Sequence, residues 1–314
     1  MRIVNAGFEM IEIENPLEKV ERVARVCYKS EDKIKEGSAE KMVRALIKHN
    51  HTAMIEHASL VVEMGGVEFN KMVLWVKYLE HTVGLKHYLR FTKKDRCIVS
   101  GNCRAWREFL QGCEKYSLDI SISLDAILKS DKYKVFFEDI DYIVHEHGNT
   151  KEVDPNTLSD EEKMVHLDLS VIFTVDRGIS HEIVRHRDAS FAQESTRYCN
   201  YGKSGAVAFI RPCFFVDDTP EFDNWLESCM NSEQLYLALL NEGRTPQEAR
   251  GVLSTSLKTE LVMTTNLREW MHFFNLRAVG TTGKPHPQIM EVAVPLLEVM
   301  KRKVPVVFDN LEVK

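Results

Sequence analysis

Between Glu182 and Tyr201 the sequence EIVRHRDASFAQESTRYCNY gathers Arg185, His186, Arg187 and Arg197 into a short span, with Ser190, Gln193, Ser195 and Thr196 between them. Arginine presents a planar fork of donors suited to phosphate. The neighbouring carboxylates, Glu182, Asp188 and Glu194, do not obviously neutralise and orient every cation. One reading is a site for a phosphate-rich ligand. The other is a helix end whose basic side chains cap carbonyls and complement the macrodipole. Residue type leaves both open. Three later cations, Arg250, Arg268 and Arg277, could converge with the first group on phosphates and on a heterocycle that develops negative charge.

The elements around these residues follow from pattern. The apolar, β-branched run Leu167 to Val175 predicts a strand leading into the cluster. Gly178 should break it, and Ile179 to Arg187 should form a short helix with Glu182 one turn before Arg185 and His186. Arg250 follows a capping box, Thr245-Pro246-Gln247-Glu248. Glu260 to Thr265 reads as a strand, and Asn266 as the cap of a helix to Leu276 that carries Arg268 and His272. A final helix, Gln288 to Arg302, contains Pro295, where a kink or break is expected. Earlier, Arg2 to Ile13 alternates as a strand, and Asn15-Pro16 opens a helix. Another helix starts after Ser38, and Ser59 to Met64 reads as a strand. Val67 to Tyr78 should be helical, Arg96 to Gly101 a strand, and Asn102 a cap. Val207 to Arg211 reads as a further strand, and Thr219-Pro220 opens a long helix ending at Gly243. From about 130 to 160 periodicity is poor, which predicts an irregular, surface-exposed part of an insertion.

Composition narrows the classes. The 314 residues are 44% hydrophobic and 28% charged, as in an ordinary globular protein. A formal charge of −6 argues against a general nucleic-acid binder. No run is long enough to span a membrane, and the N-terminus lacks a signal-peptide pattern. Seven cysteines without a C-x-x-C pair read as reduced, cytoplasmic thiols. His49, His51 and His57 fit no metal-ligand spacing and read as polar loop histidines, so no metal is expected. There is no G-x-G-x-x-G, and Gly280 to Pro285 lacks the spacing and hydroxyl of a phosphate loop. No G-x-S-x-G elbow supports Ser195 as a nucleophile.

Arg185-His186-Arg187, seven residues and then Ser195 resembles the signature of the flavin-dependent thymidylate synthases. Asn50 to His57 resembles that family's early histidine loop, and Ala249-Arg250 with NLREWMHFFNLR (266–277) resembles its C-terminal half. The resemblance implies an α/β fold, a mixed sheet flanked by helices. It implies one catalytic domain over 1–314, with a helical insertion at about 66–165. The implied reaction is reductive methylation of dUMP to dTMP, with methylenetetrahydrofolate as carbon donor and tightly bound FAD reduced by NADPH. It also implies a cytoplasmic homotetramer with shared active sites.

By position, the resemblance assigns FAD contacts to His51, Ala53, Arg185, His186, Arg187 and Gln193. Asn266, Leu267, Arg268 and His272 complete that set. It assigns dUMP contacts to Glu182, Arg185, Gln193, Ser195, Thr196, Arg197 and Arg250, and makes Arg277 the residue that favours ionisation of the pyrimidine ring. Ala53 stands where many members carry a hydroxyl, a loss of one hydrogen bond worth about 1 kcal/mol. Gln193 stands where compact members carry Glu. Two rival readings are a flavin-independent thymidylate synthase using Cys213 and a non-catalytic nucleotide- or RNA-binding protein. Phe214 follows Cys213 where that enzyme has histidine, and Cys213 reads as a packed thiol.

Overall fold

The structure is a computed structural model that describes residues 1–84, 88–118, 124–141, 149–203 and 205–313. It is a mixed α/β fold whose strands divide among three sheets. Two compact units emerge: residues 1–11, 25–31 and 169–314 form the first, and residues 12–24 and 32–168 the second.

The first unit is organised around the strand Asp168–Asp176. Val171, Ile172, Phe173 and Val175 are all buried, so both faces are covered and the run reads as continuously apolar rather than alternating. Its sheet has the order Gly7–Met10, Asp168–Asp176, Lys258–Asn266, Ser190–Gln193. Phe8 lies opposite Phe173 in an antiparallel pair, and Met263 opposite Phe191 in another. A hydroxyl pair, Ser170 and Thr264 at 2.7 Å, satisfies two polar groups inside this sheet. The expected single strand over Arg2 to Ile13 is two strands, because its halves pair differently. Arg2–Val4 runs parallel to Ala208–Ile210, whereas Gly7–Met10 joins the central sheet.

Two helices brace this sheet. Leu267–Phe274 places Trp270, Phe273 and Phe274 in the core, and Trp270 Nε1 donates to the Leu169 carbonyl at 3.2 Å. Phe173 lies 5.9 Å from Phe273 and 6.3 Å from Trp270, distances at which ring pairs add to plain area burial. Pro287–Lys303 buries Ile289, Val292, Ala293, Leu296 and Leu297. Pro295 sits inside that span, and the expected break is absent.

The second unit has a four-stranded antiparallel sheet in the order Arg90–Lys93, Cys97–Asn102, Ser59–Met64, Lys151–Glu152. Helix Cys103–Lys115 is capped as expected, Asn102 Oδ1 accepting from the Ala105 amide at 2.8 Å. Segment 66–165 thus contributes strands as well as helices. Two expectations fail here. His57 is fully buried rather than a polar loop residue, because the 3₁₀ turn Thr52–His57 folds it inward. The stretch read as irregular surface carries Tyr133, Val135, Phe136 and Phe137, each at most 3% exposed. These apolar residues lie in short turns of helix whose period is too brief to register in sequence. Residues 142–148 of that stretch lie outside the described residues.

Asp168 accepts two hydrogen bonds from Arg90, both at 2.6 Å, and one from Ser59 at 2.5 Å. Desolvation opposes its charge, yet Arg90 holds the carboxyl below the usual carboxylate range. Arg90→Ala strands a buried carboxylate and should destabilise the protein by about 3–5 kcal/mol in urea unfolding.

Candidate active site

The cationic cluster starts from a strand-to-helix turn. Asp176, the last residue of the central strand, accepts from the Ile179 amide at 2.7 Å and caps helix Arg177–Ile183. Its other carboxylate oxygen takes a hydrogen bond from Gln288 at 2.6 Å, which ties the cap to helix Pro287–Lys303. Gly178 therefore lies inside the helix and does not precede it. The helix also ends early, at Ile183, so Arg185, His186 and Arg187 occupy the following turn and Asp188 adopts a positive φ of 64°. Helical periodicity does not place Glu182 beside His186. Arg277 does.

Arg277 lies on a π-helical segment, Asn275–Val279, that extends helix Leu267–Phe274. Single π turns are frequent at functional sites, because the extra residue re-aims the side chains that follow it. Its Nη1 donates to Glu182 Oε2 at 2.6 Å, its Nη2 to the Glu182 carbonyl at 3.3 Å, and its Nε to His186 Nε2 at 3.1 Å. His186 is buried against Phe273 at 5.0 Å and lies 5.6 Å from the exposed ring of His272. Around this knot, Arg185, Arg187 and Arg268 are exposed and make no ion pair among the described residues.

A second group forms on the loop after strand Ser190–Gln193. Arg250 Nη1 donates to Thr196 Oγ1 at 3.0 Å. Arg197 Nε donates to Gln247 at 2.9 Å and its guanidinium lies 5.4 Å from the Tyr198 ring. Ser195 Oγ accepts from the Arg197 amide at 3.3 Å, which suits a binding hydroxyl and not an activated nucleophile. Glu194 anchors this loop. It is 2% exposed and takes hydrogen bonds from Tyr201 at 2.8 Å and Lys258 at 3.0 Å, a buried anchor where the sequence suggested only a carboxylate near the cations. Alternation along the strand offered the signal, since Ala192 and Glu194 share one parity and both are buried.

The other expected residues are placed plainly. Gln193 Nε2 donates to Ser180 Oγ at 2.8 Å and to Thr259 at 3.3 Å, joining the two groups through helix Arg177–Ile183. Asn266 caps its helix, accepting from Glu269 N at 2.9 Å, and Leu267 is fully buried. His51 and Ala53 are exposed residues of the second unit, beside and within the turn Thr52–His57. Cys213 is exposed, not packed. Desolvation and the Glu291 carboxylate nonetheless push its thiol up to about 11, which leaves it a poor nucleophile.

The family model described as thymidylate synthase complementing protein matches residues 9–78 and 159–306. The chain belongs to this Thy1 family. A flavin-dependent thymidylate synthase of Geobacter sulfurreducens is 30% identical over 138 residues, 43% of this chain and 57% of that protein. The one from Thermococcus kodakarensis is 35% identical over 123 residues, 39% of this chain and 49% of that protein. The chain thus spans about half the length of the curated relatives it matches. A structure titled as a UMP/dUMP methylase PolB from Streptomyces cacaoi, bound with 5-Br dUMP, aligns over 98% of this chain and 96% of that one. Its TM-score is 0.43 and its identity 16%.

The cluster around Arg277 contains two perturbed groups. Burial, with Arg277 and His272 nearby, lowers His186 to about 4. Burial and the Asp188 charge raise Glu269, a residue absent from the sequence reading, to about 7. Their effects on stability oppose each other. His186 contributes stability that is complete above pH 6.5 and lost as pH falls through 4. Glu269 contributes stability that is complete below pH 4.5 and lost as pH rises through 7. Between pH 4.5 and 6.5 the two slopes offset. Glu269→Gln should remove one and expose the other, so that urea midpoints fall steeply on acidification from pH 6.5 to 4, by on the order of 3 kcal/mol. A wild-type-like, flat profile would count against this.

Proposed function

We propose that the chain catalyses reductive methylation of dUMP to dTMP, as a cytoplasmic homotetramer. Methylenetetrahydrofolate supplies the carbon, and NADPH the reducing equivalents. The observation that carries the reading is Arg277, a guanidinium held on two edges by Glu182 and His186. A cation fixed in this way stabilises negative charge developing on a pyrimidine ring without reorganising at the moment of reaction. It also cannot lose its proton to the ring. Family membership and the names of the matched relatives support the same reaction.

The residues fit FAD. Arg185, Arg187 and Arg268 are exposed guanidiniums with no carboxylate partner among the described residues, and they suit a diphosphate. His186, His272, Gln193, Asn266 and Leu267 would complete the contacts made by the first unit. Bound FAD supplies hydride to the pyrimidine ring once reduced. Ser195, Thr196, Arg197 and Arg250 hold dUMP, with Glu182 and Gln193 at the base end, and Arg277 accepts the charge that develops on the ring.

Purified protein should be yellow and tetrameric, and should release tritium from C5-labelled dUMP only when NADPH and the folate are present. Tight dUMP binding with no tritium release would favour a non-catalytic binder. Arg277→Ala should lower turnover by about 10²–10³, with FAD absorbance retained. Cys213→Ser should leave turnover unchanged; an inactive Cys213→Ser protein that still binds FAD would point to the classical cysteine mechanism.

A further inference from the structure

The buried side of the Arg277 network ends on two atoms that lack hydrogen-bond partners among the described residues, His186 Nδ1 and Glu269 Oε1. They stand 3.7 Å apart, beyond hydrogen-bond reach, on side chains 2% and 16% exposed. On the far edge of the ring, Nε2 accepts from Arg277 Nε. In the neutral imidazole the proton therefore sits on Nδ1. A hydrogen, not a lone pair, points toward Glu269.

His272 joins these residues in a trio whose ligand atoms lie within 4.8 Å, a spacing open to a metal ion. The surroundings favour another use. A metal-bound imidazole ordinarily donates its remote N–H to an acceptor, whereas the remote nitrogen of His186 receives a guanidinium hydrogen. A dication would also lie beside the charge of Arg277. A carboxylate is the group that this Nδ1–H fits.

We infer that Glu269 is a positioning residue acting through His186. Its ionised carboxylate takes the Nδ1 hydrogen, pins the tautomer that offers Nε2 to Arg277, and so fixes the guanidinium that Glu182 holds from the other side. Asn266 sets the starting point by capping the helix at the Glu269 amide. The charged and titratable groups around the pair are Asp188 from the preceding turn, His272 on the same helix, Arg277 on the π-helical segment, and Glu182 beyond it. With Glu269 held near 7 by burial and Asp188, its ionisation switches on across neutral pH. The value of an oriented Arg277 for turnover rests on the proposed reaction; the tautomer of His186 does not.

The test uses the full chain labelled with ¹⁵N-histidine. His186 should stay a neutral Nδ1–H imidazole from pH 6 to 8, its Nδ1 resonance moving with a midpoint near 7. Glu269→Gln keeps an acceptor oxygen but cannot ionise, so it should keep the tautomer and abolish the pH step. Glu269→Ala should let the Nε2–H tautomer appear. In turnover, wild-type kcat should rise through pH 7 and the Gln variant should flatten that limb. An Nε2–H tautomer in the wild type, a pH step that survives in Glu269→Gln, or stoichiometric zinc that displaces the His186 signals would overturn the inference. The expected tautomer pattern in a protein that never turns over dUMP would sink the functional reading and leave this one standing.

Discussion

A single guanidinium holds the candidate site together. Arg277 reaches across 95 positions of sequence to Glu182 and 91 to His186, and it engages both at once. Without it, a seven-residue helix and the turn after it would have to orient a carboxylate and an imidazole unaided. A paired charge of this kind contributes little net stability, because desolvation offsets much of the Coulombic gain. Its consequence is geometric: three side chains from two distant elements share one arrangement.

That arrangement depends on how firmly the two elements are held. The Arg277 segment continues a helix anchored by Trp270, Phe273 and Phe274, with a hydrogen bond from Trp270 to the central strand. The Glu182 helix starts at Asp176, on the end of that same strand, and is tied through Gln288 to the C-terminal helix. Both sides of the contact are thus referenced to Asp168–Asp176, which is buried on both faces. Rigid packing is what lets a hydrogen bond of 2.6 Å between remote residues persist. The exposed cations around it carry no comparable restraint. The arrangement thus sets one braced guanidinium, Arg277, beside exposed arginines that are held by no ion pair among the described residues.

Much of this was legible in the sequence, for local reasons. The apolar run before the cluster is a strand because β-branched residues crowd it, and Asn102, Asn266 and the Thr245 capping box cap helices because their side chains reach their own backbone. The cationic types alone left a ligand site and a charged helix end both open. The short buried turns around Phe136 and the inward His57 were not legible, since neither has a period to read. Gly178 misled in the other direction: Asp176 supplies a cap strong enough to carry the helix through it.

The sequence by itself determined the inventory: a strand, a cationic triplet, a capped helix bearing Arg268, His272 and Arg277, and a family signature spread over distant segments. Tertiary structure decided the pairing. It set Glu182 and His186 on Arg277 instead of on one helical face, engaged Glu194 as a buried anchor, and left Glu269 facing His186 across 3.7 Å. The reason lies in range. Caps and periodicity act over three or four residues, whereas the contacts that set protonation and charge here join residues about eighty to ninety-five positions apart, and only packing on a shared strand brings them within a bond's length.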